Sequence, residues 1–81
     1  QKITDNIYHV IGGCEIDVLN EILKLGISEY EDYTTLNGFL IFKLGNIPKI
    51  NDTYEIEGKG VFRVISASKK KVLKVEFKYN K

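Results

Sequence analysis

Eighty-one residues suffice for one domain, but a chain this short buries only ~60–65% of the surface it exposes unfolded, so a deep substrate cleft beside the core is not expected. A composition of 43% apolar and 28% charged residues is that of a globular protein, and no run approaches the ~18 apolar residues that span a bilayer. Net charge is +1, yet residues 1–58 hold four basic and ten acidic groups while 59–81 hold eight and one.

With one cysteine no intrachain disulfide can form. That fits a reducing compartment, and no secretory leader pattern opens the chain. The lack of Met leads us to expect a module excised from a longer protein.

Residues 1–6 are polar and expected to fray. Ile7-Tyr8-His9-Val10-Ile11 is rich in β-formers and is closed by Gly12-Gly13, which predicts a first strand with Tyr8 and Val10 on one face. The single histidine, His9, has no partner at a ligand spacing and reads as a strand-surface residue. Residues 15–25 read as a helix. Glu15, Asp17 and Glu21 sit toward its start, Lys24 in its last turn and Gly26 past its end, as the helix dipole favours. Ile16, Leu19, Ile22 and Leu23 are its expected buried stripe. Cys14 precedes this helix with no base nearby, and reads as a small packed residue.

Residues 27–33, ISEYEDY, join this helix to the next. Glu29, Glu31 and Asp32 offer carboxylates to a divalent cation, although the calcium-loop pattern is absent and a solvated loop is the plainer reading. From Thr35, whose hydroxyl suits an N-cap, Leu36, Phe39, Leu40 and Leu44 recur at helical spacing. Gly45 and Pro48 supply the stop. Ile41 and Phe42 are β-formers, so a buried strand over 38–43 is the rival reading, and the end signals favour the helix.

After Pro48 the period becomes two. Residues 53–57 alternate, Gly58-Lys59-Gly60 turns the chain, and residues 61–65 return with Phe62 and Val64 inward. Residues 66–71 form the next connection. Residues 72–79 then alternate, with Leu73, Val75, Phe77 and Tyr79 on one face and Lys74, Glu76 and Lys78 on the other. The order β-α-α-β-β-β predicts an α+β two-layer sandwich, with two helices packed on a small, mainly antiparallel sheet.

Catalytic and cofactor patterns are missing. One His and one Cys make neither a nucleophile pair nor a zinc site, and no glycine loop matches a phosphate cradle. Lys69, Lys70, Lys71, Lys74 and Lys78 could face phosphates, but Phe77 and Tyr79 alternate to the opposite face, so nucleic acid is not expected. Two readings remain for these lysines: guarding an outer strand against edge pairing, or attraction to anionic headgroups at a membrane surface.

The segment Tyr33-x-Thr35-Leu36-x-Gly38-Phe39-Leu40-Ile41, followed by Leu44-Gly45-x-Ile47-Pro48 and Asp52, resembles the signature of the transporter-associated domain, also called the CorC/HlyC domain. The likeness extends to Ile16-Asp17-Val18-Leu19-Asn20-Glu21, the acidic residues 29–32 and Val61-Phe62-Arg63-Val64, so it covers nearly all of 1–81. The chain departs from that pattern at Glu15 (usually Pro), Ile11 (often Asp) and Asn51 (usually Gly). Asn tolerates positive φ, so the turn at Asn51 should survive.

The resemblance implies a non-enzymatic regulatory module at the C-terminus of an integral membrane protein related to magnesium and cobalt efflux proteins or hemolysin-like proteins. The module would lie on the cytoplasmic side, partnered by a CBS pair and a transmembrane domain, with a homo-oligomer as a further implied partner. The fold is grouped with certain FAD-binding domains, which leaves a flavin or nucleotide ligand as the alternative, but no flavin motif is present. No catalytic, cofactor or metal residue is implied. The candidate interaction surface is Tyr30, Glu31, Asp32, Lys69, Lys70, Lys71, Lys74 and Lys78.

Overall fold

In chain order the elements are β1 (Ile7–Ile11), α1 (Ile16–Leu23), α2 (Leu36–Leu44), β2 (Thr53–Ile56), β3 (Gly60–Ala67) and β4 (Val72–Tyr79). They come from a computed structural model that describes residues 1–29 and 32–80. The strands form one four-stranded antiparallel sheet in the order β1-β4-β3-β2, so the α+β architecture matches the sequence expectation.

Local chemistry sets the ends of α2. The Thr35 hydroxyl accepts from the Gly38 N–H at 3.2 Å, and Gly45, at φ 83°, closes the last turn with its N–H on Ile41 O. The rival strand over 38–43 is not formed. The other first-turn donors of α2 also find partners: Leu36 N–H donates to Cys14 O and Asn37 N–H to Gly12 O. In return Ile16 N–H donates to Thr34 O. The two helix starts are thus joined by an antiparallel bridge at Glu15 and Thr35, which satisfies backbone donors that a helix leaves unpaired. Asn37 ties this junction to the sheet, its side-chain carbonyl accepting from Val72 N–H at 2.7 Å.

The core lies between the helices and one face of the sheet. Ile16, Leu19, Leu23, Leu36, Phe39 and Leu40 meet Phe62, Val64, Val72, Val75 and Phe77, all buried. Rings run through it edge to face, with Phe39 5.6 Å from Tyr54 and Phe77 5.0 Å from Tyr79, geometries that add to plain area burial. The Tyr79 hydroxyl reaches Leu23 O at 3.0 Å and so satisfies a carbonyl at the end of α1.

Several expectations are corrected. Ile22 is 55% exposed, and Leu25 takes its place inside. Helix α1 stops at Leu23 because Lys24 adopts the left-handed conformation, φ 59°; Lys24 is therefore a cap, not a last-turn residue, and helix α1 ends before Gly26. Asn20 enforces this ending: its amide brackets Ile27, accepting from the N–H at 2.8 Å and donating to the carbonyl at 2.7 Å.

In β4 it is Val72 that is buried, with Leu73 exposed. Register irregularities against β3 around Ser66 shift the alternation by one, as a bulge does. Strand β3 runs on to Ala67, so the β3–β4 connection is shorter than expected. Strand β4 is also central, not outer, so its lysines guard no edge. The first residues are tied to the sheet where a loose end was expected: Gln1 and His9 exchange backbone hydrogen bonds and Lys2 bridges to Tyr8, along the β1 edge.

Candidate functional site

The proposed surface divides into parts that the fold does not bring together. Tyr30 and Glu31 lie outside the described residues. Asp32 is exposed, and Glu29, held by Asn20 Nδ2 at 3.4 Å, lies with Glu15, Asp17 and Thr34 around a shallow hollow at the start of α1. Among the described residues, no group of three or more His, Cys, Asp or Glu is placed to hold a metal ion.

Lys69, Lys70 and Lys71 occupy the tight turn between β3 and β4 and are exposed. Ser68 shapes that turn, its hydroxyl accepting from the Lys70 and Lys71 N–H groups at 3.2 Å and its own N–H donating to Lys71 O at 2.8 Å. Lys74 is exposed on the next strand, opposite Ile11 and Ser66. Lys78 pairs with Ile7 and Val61, four residues or about 13 Å farther along the strand, so it belongs to the opposite end of the sheet.

The fold adds residues that the sequence reading missed. Asn51 N–H donates to Val64 O and Val64 N–H to Asp52 O, which fixes the 46–52 loop alongside β3 just beyond its pairing with β2. A shallow groove of about 660 Å³ results, lined by Ile47, Pro48, Lys49, Ile50, Ala67, Ser68 and Lys69. Ile47 is 38% and Ile50 56% exposed. Residues 49 and 69 are twenty apart in sequence, and their only advance signal was the pair of isoleucines in a segment that reads as a turn. Asn51 has φ 78°, as expected for a residue standing where the family pattern has Gly.

On the outer face of the sheet, His9 Nε2 stands 3.9 Å from Glu76, whose carboxylate also meets Arg63 at 3.3 Å. Arg63 donates onward to the Asn51 side chain at 2.9 Å. This network cross-links β1, β4, β3 and the loop, a structural use for the lone histidine. Cys14 is half-buried, and burial, reinforced by Asp17 and Glu15, pushes its thiol above the ordinary value, the reverse of an activated nucleophile. It lines an apolar groove of about 430 Å³ between β1 and α1, together with Ile11, Val18 and Ile22. Lys74 brings a cation and Glu15 a carboxylate to its rim. Among the described residues no helix is long and apolar enough to cross a membrane.

Comparison with curated proteins finds no match. Solved structures do match. The transporter-associated domain CorC_HlyC from Nitrosomonas europaea superposes with a TM-score of 0.87 at 25% identity, covering 99% of this chain and 94% of that one. The CorC-associated region from Neisseria meningitidis MC58 gives 0.90 at 20% identity, with coverage of 99% and 96%. The CorC_HlyC domain of a Xylella fastidiosa Temecula1 hemolysin, in complex with Mg²⁺ and Mn²⁺, gives 0.84 at 21%, with coverage of 100% and 96%. The family model for the transporter-associated domain, CorC_HlyC, matches residues 1–81. The shared β-α-α-β-β-β sandwich and this match from first residue to last mean that the chain belongs to the CorC_HlyC transporter-associated domain family.

Proposed function

We propose that this domain is a non-catalytic accessory module of a membrane ion-transport protein, of the magnesium and cobalt efflux or hemolysin-like kind. It sits on the cytoplasmic side as part of a longer chain and acts through contact with a CBS pair, the transmembrane domain or a second subunit. The family match over residues 1–81 carries the reading. Two relatives support the link to divalent cations: the Neisseria meningitidis region is associated with a Mg²⁺ and Co²⁺ transporter, and the Xylella fastidiosa domain is a complex with Mg²⁺ and Mn²⁺.

The use of the polar groups supports an accessory role. Among the described residues the fully buried side chains are apolar, while Asn20, Asn37, Arg63 and Glu76 are engaged in holding segments of this chain together. An enzyme would keep such groups converging on a substrate-sized space. Deleting residues 1–81 from the parent protein is expected to change divalent-cation efflux or subunit assembly while leaving membrane insertion intact. Unchanged efflux together with unchanged assembly would refute the proposal.

A further inference from the structure

Two rigid turns meet at one end of the molecule. In the first, Asp52 N–H donates to Lys49 O at 2.9 Å and the Asp52 carboxylate accepts from Lys49 N–H at 2.8 Å, which pins Ile50 outward. In the second, Ser68 holds Lys69, Lys70 and Lys71 in the geometry given above. The groove common to both turns brings Ile47 and Ile50 beside Lys49 and Lys69. Lys49 and Lys69 thus flank two exposed aliphatic side chains at this tip, Lys70 and Lys71 follow exposed in the second turn, and Asp52 is the one acidic group in either turn.

We propose that this tip docks the domain on an anionic lipid bilayer, the lysines meeting headgroup phosphates and carboxylates while Ile47 and Ile50 enter the interfacial layer. The chemistry favours a bilayer over the other polyanions. Lysines around exposed aliphatic side chains match a surface that is anionic outside and apolar just beneath. A nucleic-acid surface calls for aromatic platforms or arginine forks, whereas neither turn contains an aromatic residue or an arginine, and Phe77 is buried in the core. Rigidity helps, since turns already fixed by hydrogen bonds lose little conformational freedom on docking.

The test is co-sedimentation of the 81-residue chain with vesicles of phosphatidylcholine, with and without phosphatidylglycerol. Binding is expected only to the anionic vesicles, and it should fall as salt is raised. The triple variant K69Q/K70Q/K71Q should bind about a hundredfold more weakly, each surface lysine contributing about fivefold. I50S, which leaves the charge unchanged, should bind several-fold more weakly.

A control with the same net charge change, K2Q/K59Q/K78Q, alters the far end of the sheet, about 23 Å away along β3. It should bind as the parent chain does. All substituted side chains are exposed, and circular dichroism should show the fold retained. The proposal is overturned if the chain ignores anionic vesicles, if both triple variants lose binding equally, if I50S binds undiminished, or if a single-stranded oligonucleotide outcompetes the vesicles. Loss of vesicle binding alone would leave the accessory-module reading standing, because that reading is tested on efflux and assembly.

Discussion

Gly12 and Gly13 are neighbours, yet the structure assigns them opposite sensitivities. A Cβ on Gly12 would fall 2.1 Å from Val72 O and 2.9 Å from Val72 C, both backbone atoms, whereas a Cβ on Gly13 meets nothing within 4 Å. Relieving the first clash to the 3.4 Å of ordinary contact moves Gly12 away from β4. That motion strains the Gly12 N–H bond to Leu73 O, 2.9 Å, and the Asn37 N–H bond to Gly12 O, 2.7 Å.

Two hydrogen bonds at a net ~1 kcal/mol each, plus ~1–3 kcal/mol of overpacking, give a destabilisation of about 3–5 kcal/mol for Gly12→Ala. A domain of this size has little more than that in total. Gly12→Ala should therefore lower the thermal midpoint by tens of degrees, while Gly13→Ala stays within about 1 kcal/mol of the parent. Urea titration followed by far-ultraviolet circular dichroism measures both. Unfolding free energies of the two variants within about 0.5 kcal/mol of each other would refute the reading of Gly12 as the point where β1, α2 and β4 converge.

Asn20→Ala removes both amide bonds to Ile27 and should cost about 1–3 kcal/mol, with amide exchange at Ile27 accelerating ahead of the rest of the core. In α1, Leu19→Ala should cost about 2–5 kcal/mol as a core deletion, whereas Ile22→Ser should stay within about 0.5 kcal/mol, a difference that would vanish if the buried stripe included Ile22. Alkaline pH should weaken the fold. Burial, with smaller contributions from Asp17 and Glu15, raises the Cys14 thiol above 9.0, and burial, then Tyr8, raises the Tyr79 phenol above 10.0. The folded chain thus keeps protons that the unfolded chain releases, so this stability is fully present below about pH 9 and is lost as pH climbs through the folded values. Urea midpoints measured from pH 8 to 11 should fall, and fall less steeply in Cys14→Ala.

Signals carried within a few residues were legible in the sequence. Thr35 and Gly45 set the ends of α2 because a hydroxyl cap and a left-handed residue act on backbone groups three or four positions away. The alternation at Phe62, Val64, Val75 and Phe77 identified their buried face because strand side chains alternate whatever the partner strand. The family signature was likewise readable from residue types and spacing alone.

What the chain order could not convey depended on partners distant in sequence. Whether Val72 or Leu73 points inward is decided by how β4 slips past Ser66 on β3, and whether α1 buries Ile22 or Leu25 is decided by Asn20 capturing Ile27 across the end of the helix. The placing of Lys49 beside Lys69 follows from hydrogen bonds between residues 51–52 and Val64, a pairing that no local propensity encodes. The sequence by itself determined which segments become helix or strand, since capping and alternation are properties of neighbouring residues. Only the tertiary structure decided strand order, bulge position and the gathering of charge with exposed isoleucine at one tip, because each is settled by the register in which remote segments meet.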